Sequence, residues 1–298
     1  MSNTLLYSYR NGNYDVNIYD DGTKERLFTD APIPEFPESM DVKVTDYCDA
    51  NCRYCHESST VKGIHSDEEL AVKLFDGIPN GTELAIGGGN PLAWDGIYYF
   101  LGQMTERKLI CNMTVNAVHV ARYIHHLESL IEDKNIYGLG LSYNKTFIDV
   151  CAQVANANKN TVFHVIMGVH TLDDVKLIIE KVKNPKILLL GYKQYGRGLA
   201  YHSPAIESQL YRWYVQIHEF FNKEGLVLSF DNLAIRQLNL RRFFTEKNWN
   251  EFYMGDDGKF TFFLDLVKKQ YCRSSTTSTR FNIDTQTIRD MFAHIRSL

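Results

Sequence analysis

Residues 40–57 read MDVKVTDYCDANCRYCHE. MDVKVT has the length and composition of a short strand, and it runs straight into a loop holding Cys48, Cys52 and Cys55. The spacing is C-x3-C-x2-C, with His56 directly behind the last thiol. Half of the six cysteines of the chain therefore sit at the carboxyl end of one predicted strand.

Outward from that strand, strand-like and helix-like runs alternate about six times with short connections. Residues 66–75 predict a helix, with Ser66 and Glu69 as a capping box. TELAI (82–86) is a buried strand ending in Gly87-Gly88-Gly89. Helix 95–107, strand 108–115, helix 118–132, strand 136–142, helix 146–157 and strand 161–167 follow. Thr171 and Asp174 then cap a helix over 171–182, before strand 186–191, helix 204–222 and strand 226–230. This order argues for parallel strands with crossover helices, either a closed barrel, a partial barrel or a doubly wound sheet. In each of these, ligands sit at the carboxyl ends of the strands, where the cysteine loop lies.

The flanks differ from this pattern. LLYSY, YDVNIY and ERLF, separated by RNGN and DDG, read as an N-terminal β-meander, and the proline-rich APIPEFPES (31–39) as an extended linker. The tail from 255 predicts a turn and strand in DDGKFTFFLDLV and a final helix in IRDMFAHIRSL. The expected division is 1–38 meander and linker, 39–231 core domain, and 232–298 a C-terminal extension completing the barrel on the substrate side.

Bulk composition narrows the function. With a net charge of −4, no basic face for nucleic acid or anionic lipid is expected. No stretch of 18 apolar residues occurs, so no membrane span is expected. The start, MSNTLLYSYRNGNYDV, lacks a cationic n-region and a long apolar run, which predicts a cytoplasmic, reducing location. There, clustered cysteines hold metal more often than they form disulfides.

Two metal readings of the loop stand. Cys48, Cys52, Cys55 and His56 would be a structural zinc tetrahedron, the mark of a non-catalytic, zinc- or iron–sulfur-stabilised binding protein. Structural zinc usually takes two cysteine pairs from separate segments, however, and there is no second C-x2-C. A four-iron cubane bound by three thiolates would instead keep one iron open.

The loop resembles the cluster motif of the radical S-adenosylmethionine (radical SAM) enzymes, including the aromatic Tyr54 before the last cysteine. LAIGGGNPL resembles the family's glycine-rich motif, with Asn90 in place of the usual glutamate before Pro91. TVNAV, LSYNK and HVIMGVHTLDDV resemble its third-, fourth- and fifth-strand segments, so the likeness spans about residues 40–230. The resemblance implies an α/β fold, a partial (β/α)6 TIM-like barrel. It implies a 4Fe-4S cluster on Cys48, Cys52 and Cys55, whose open iron chelates S-adenosylmethionine. One electron, from a carrier such as flavodoxin or ferredoxin, cleaves that cofactor to methionine and a 5′-deoxyadenosyl radical, which takes a hydrogen atom from substrate.

Cofactor contacts are expected from Gly88, Gly89, Asn90 and Pro91 at the methionine moiety. Asn116 and Ser142 are expected at the ribose or carboxylate, and Tyr54, Met167 and Gly168 around the adenine. Lys193 and Arg197 in LLLGYKQYGRG are expected at the barrel mouth, facing a carboxylate of cofactor or substrate. Cys111 and Cys151 read as core residues. Cys272, in polar KKQYCRSSTTSTR, reads as a reachable thiol and the candidate hydrogen-atom donor. No histidine is given a role, and His164 reads as a satisfied core residue. A peptide substrate is favoured slightly over a small metabolite, because the N-terminal strands offer an edge for strand addition.

Overall fold

Tyr14, Val16 and Ile18 alternate on one face of the N-terminal meander and are buried. The structure, a computed structural model, describes residues 3–298. The meander consists of β1 (Leu5–Asn11), β2 (Tyr14–Tyr19) and β3 (Lys24–Leu27), antiparallel in that order. Its tight turns take Gly12 and Gly22 to φ of 64° and 88°, a region that side chains disfavour.

The main body alternates β4 (Ser39–Thr45), α1 (Glu68–Lys73), β5 (Glu83–Gly88), α2 (Ile97–Glu106), β6 (Ile110–Asn116) and α3 (Ala117–Glu132). It continues through β7 (Gly138–Ser142), α4 (Ile148–Ala157), β8 (Thr161–Ile166), α5 (Leu172–Lys181) and β9 (Lys186–Leu190). Helices α6 (Arg197–Tyr201) and α7 (Pro204–Gln216) precede β10 (Val227–Phe230). The C-terminal part adds α8 (Asn232–Leu238), α9 (Glu246–Phe252), β11 (Thr261–Asp265), β12 (Gln270–Cys272), β13 (Phe281–Asn282) and α10 (Ile288–Ser297).

The larger sheet runs β10-β9-β8-β7-β6-β5-β4-β11-β12-β13. From β10 to β4 all neighbours are parallel, and β11 adds a further parallel strand on the free side of β4. Among the described residues no strand pairing joins β10 to β13, so the sheet is the open, partial barrel the resemblance implies. The core lies between the strands and the outer helices, around residues such as Val42, Ile86, Phe100, Leu141, Phe163 and Trp213. Among the described residues no helix is long and apolar enough to cross a membrane.

Three local expectations shift. The cap of α1 is Asp67, whose carboxylate accepts from Leu70 N at 2.8 Å, while the Ser66 hydroxyl is buried without a partner. A carboxylate near the positive end of a helix is a better cap than the hydroxyl one residue earlier. The helix expected over 204–222 ends as α-helix at Gln216 and tightens into a 3₁₀ turn over Ile217–Phe220. The C-terminal segment is richer than the predicted single strand and helix, with two further short helices and the β12–β13 hairpin.

The meander closes the amino ends of the barrel strands. Asp20 pairs with Lys159 at 3.0 Å, its carbonyl accepts from the Tyr137 hydroxyl at 2.5 Å, and Lys24 pairs with Glu83 at 2.5 Å. Glu38, 1% exposed, anchors the meander to the core: Arg26 reaches it at 2.7 and 2.9 Å, and the Tyr14 hydroxyl at 2.6 Å. Glu38→Ala strands the Arg26 guanidinium and should destabilise the fold by about 3–5 kcal/mol, read as a lower urea midpoint. A loss well below that would show the meander to be anchored elsewhere.

Candidate active site

The loop after β4 is held by backbone before any cofactor is considered. Cys48 N donates to Thr60 O at 3.0 Å, Thr60 N to Asp46 O at 3.2 Å, and Asp46 N to Ile64 O at 2.8 Å. Arg197, at the start of α6, reaches back into the loop. Its backbone N donates to Cys55 O at 3.0 Å, Nε to Cys52 O at 2.9 Å, and Nη1 to Ser59 O at 2.9 Å. From α3, His119 Nε2 lies 2.7 Å from Asp49, and Arg122 also pairs with Asp49. Asn116 caps α3 by accepting from Val118 N at 3.1 Å, and its Nδ2 donates to Cys52 Sγ at 3.4 Å.

The glycines after β5 fall into two kinds. A Cβ on Gly89 would stand 2.0 Å from Tyr47 O, and one on Gly88, which has φ of 114°, 2.4 Å from Thr45 O. The close approach of β5 to the cysteine loop requires both. Gly87 has nothing within 4 Å of such a Cβ, so protein packing does not demand glycine there. Its missing side chain leaves open space on the wall of a cavity.

That cavity has a volume of about 660 Å³ and runs along the barrel interior. Cys48, Cys52 and Cys55 line its upper end together with Gly87, Gly88 and Gly89. Alternate residues of the strands face inward, as strand geometry requires. They include Asp41 and Lys43 of β4, Asn112 and Thr114 of β6, His164 of β8 and Ser229 of β10. Gly140 gives His164 its place, since a Cβ there would lie 2.6 Å from the imidazole Cε1.

Of the expected cofactor contacts, Tyr54, Gly88, Gly89, Asn116, Ser142 and Lys193 are on the cavity wall. Asn90 and Pro91 are buried beside it, and both amide atoms of the Asn90 side chain lack hydrogen-bond partners. Met167 is fully buried in the core, and Gly168 packs against Ile206 and Leu210 of α7. Arg197 fastens the cysteine loop instead of facing the mouth. Cys272 needs correction as a reachable thiol. It is fully buried on β12, donates to Ser274 O at 3.1 Å, and burial pushes its pKa up to about 11.

Several wall residues escaped the sequence reading. His164 is not a satisfied core histidine: it lines the cavity without a hydrogen-bond partner among the described residues, and burial pushes its pKa down to about 4. His170 also lines the cavity, its Nδ1 accepting from Ile166 N at 2.9 Å, and burial lowers it to about 4 against the opposing Asp174. Period-two inward positions on the predicted strands would have singled out Asp41, Lys43 and His164.

Lys43 is the electrostatic centre of this end. Its side chain is 2% exposed, and its ammonium lies 2.5 Å from Asp46, 2.6 Å from Glu57 and 3.5 Å from Asp265. Burial opposes the charge, but the three carboxylates outweigh it and hold Lys43 above the ordinary lysine range. Glu57 is held below the carboxylate range: burial opposes this, and His56 and Lys43 overcome it. Glu57 lies 3.3 Å from His56, which lies 3.4 Å from Lys193, which donates to Ser275 at 3.1 Å.

A single zinc ion needs all its sulfurs at ~2.3 Å from one point, and among the described residues no three His, Cys, Asp or Glu side chains converge in that way. His56 faces Glu57 and Lys193, so a tetrahedron of Cys48, Cys52, Cys55 and His56 is not formed. Burial, with the neighbouring thiols, pushes Cys48 and Cys52 up. A bound cationic centre would reverse that.

Lys43→Met should leave Glu57 and Asp265 buried without their cation and cost about 3–5 kcal/mol, read as a lower urea midpoint. Adding Glu57→Gln and Asp265→Asn should recover part of the loss. No recovery would show that the lysine acts through packing alone.

The sequence model described as the Radical SAM superfamily matches residues 42–189. No curated protein matches the chain by sequence. The structure is similar to Streptococcus suis SuiB bound to precursor peptide SuiA, with a TM-score of 0.60 and 16% identity, covering 89% of this chain and 68% of that one. Against SuiB bound to S-adenosylmethionine the TM-score is 0.60 and the identity 14%, over 89% and 69% of the two chains. At these identities the likeness is one of fold.

Proposed function

Residues 42–189 belong to the Radical SAM superfamily, and from that we propose that the chain is an enzyme whose 4Fe-4S cluster is held by Cys48, Cys52 and Cys55. When bound, this cluster and S-adenosylmethionine supply a 5′-deoxyadenosyl radical that removes a hydrogen atom from a substrate. The observation that carries the reading is the meeting of three half-buried thiols, the open wall at Gly87 and the Asn116 amide at one end of a deep cavity.

The chain's own residues position and enclose. Arg197, His119 and Arg122 fix the loop that carries the thiols. Gly88 and Gly89 bring β5 against that loop, and Gly87 leaves room beside it. The meander turn closes the far end of the barrel, which limits water in the chamber. A peptide substrate is the favoured reading, supported by the peptide-bound SuiB structure that shares this fold.

Protein reconstituted with iron and sulfide without oxygen, reduced and given S-adenosylmethionine should yield 5′-deoxyadenosine by mass spectrometry. A triple variant with Cys48, Cys52 and Cys55 changed to Ala should be colourless and yield none. Nucleoside from the triple variant, or a zinc-loaded colourless native protein, would end this reading. Asn116→Ala removes the N–H···S bond and leaves more electron density on Cys52. The cluster potential should then fall by roughly 20–60 mV, the equivalent of one hydrogen bond for a one-electron couple. An unchanged potential in a redox titration would remove Asn116 from this role.

A further inference from the structure

The lower part of the cavity holds one carboxylate for which the described residues supply no partner. Five carboxylates line the cavity: Asp21, Asp41, Glu57, Glu83 and Asp231. Four have partners. Asp21 accepts from Thr23 N at 2.9 Å, Glu57 pairs with Lys43 at 2.6 Å, and Glu83 with Lys24 at 2.5 Å. Asp231 accepts from Ala234 N at 2.6 Å and Gly191 N at 3.0 Å. Asp41 makes no side-chain hydrogen bond or ion pair within the described residues.

Its position suits a substrate. On β4, Lys43 is in register with Gly87 and Asp41 with Ala85. Asp41 is therefore one inward step, about 7 Å along the strand, below the open wall at Gly87. Phe263 of β11 and Asn112 of β6 stand at the same level through the ladder. The carboxyl is accessible within the cavity yet deep in the protein, and burial raises its proton affinity. Lys193 opposes that rise, while Asp257 and Asp231 reinforce it. Lys193 is engaged with His56 and Ser275, and His164 stays neutral at neutral pH, so neither supplies a counter-charge at contact distance.

We propose that the lower cavity is the substrate chamber and that Asp41 is its recognition group, taking a cationic group of the substrate, a primary ammonium or a guanidinium. This rests on reading the upper cavity as the cofactor's end. A carboxylate that faces the cavity with no partner in the protein is free to pair with a cation arriving with the substrate, which would fix the substrate below the reacting end.

The test uses the cluster-loaded protein with S-adenosylmethionine and three probes of similar size: n-butylammonium, n-butylguanidinium and 1-butanol. Binding is followed by calorimetry or ligand-observed NMR. At least one cation should bind about tenfold or more tightly than the alcohol, the range for a hydrogen bond to a charged group. Asp41→Asn should abolish that preference and leave the melting temperature unchanged or higher. Equal binding of the three probes to the native protein, or a cation preference that survives in Asp41→Asn, would overturn the proposal. So would a lowered melting temperature, which would mean that Asp41 is paired in the free protein. Cluster absorbance and 5′-deoxyadenosine formation are read on the same samples. Their failure with the cation preference intact would sink the proposed enzyme and leave the chamber standing.

Discussion

One buried ammonium joins the parts that must stay in register at the candidate centre. Lys43 projects inward from β4 and meets Asp46 at the strand's end, Glu57 in the cysteine loop and Asp265 on β11. Asp46 and Glu57 follow Lys43 closely in sequence while Asp265 comes from the C-terminal part of the chain, and three carboxylates brought together without a cation would repel one another. The ion cluster therefore sets more than local stability. It locks the C-terminal strand beside the first barrel strand and fixes the side of the loop that follows Cys55. From Glu57 the contacts continue through His56 and Lys193 to Ser275, so the C-terminal segment borders the mouth of the cavity as well as its edge.

The two ends of the barrel are closed by different means. At the carboxyl end, close backbone approach decides: Gly88 and Gly89 tolerate contacts that no side chain would, and Arg197 crosses over from α6 to donate to three loop carbonyls. At the amino end, side chains decide. Tyr137 and Lys159 hold the turn of the meander, and Lys24 holds Glu83. A rigid, glycine-packed end suits thiols that must keep fixed spacing. A closed opposite end suits chemistry that water would quench. It also places the meander away from the cysteine loop, so its edge strands β1 and β3 lie at the end of the barrel opposite the thiols.

Much of this was legible because it is local. Strand order, helix order and the Thr171–Asp174 capping box are set by patterns within a dozen residues, and they appear where the patterns put them. Long-range placement was not legible. Nothing in KFTFFLDLV says that β11 pairs with β4, and nothing in YGRG says that Arg197 turns back to the cysteine loop instead of toward the mouth. Cys272 misled because its sequence neighbours are polar, while β12 is covered through its pairing with β11, which lies outside that window. Met167 misses the cavity because it continues the core-facing set Phe163 and Val165, while Val162, His164 and Ile166 form the wall, and Gly168 packs against Ile206 and Leu210 of α7.

The same strand carries the sharpest contrast in the molecule. Asp41 and Lys43 are two residues apart and face the same cavity, with opposite charges. Lys43 is surrounded by more opposite charge than it needs, and Asp41 has none within contact. Were both charges only structural, a lysine with three acidic partners and an unpartnered aspartate next to it would be an inefficient arrangement, since sharing one cation would relieve both. The arrangement is coherent when the two levels of the cavity do different work. The upper level must be the same before and after every turnover, so its charges are satisfied within the protein. The lower level must discriminate among arriving molecules, and a group already satisfied by the protein has no differential affinity left to offer them.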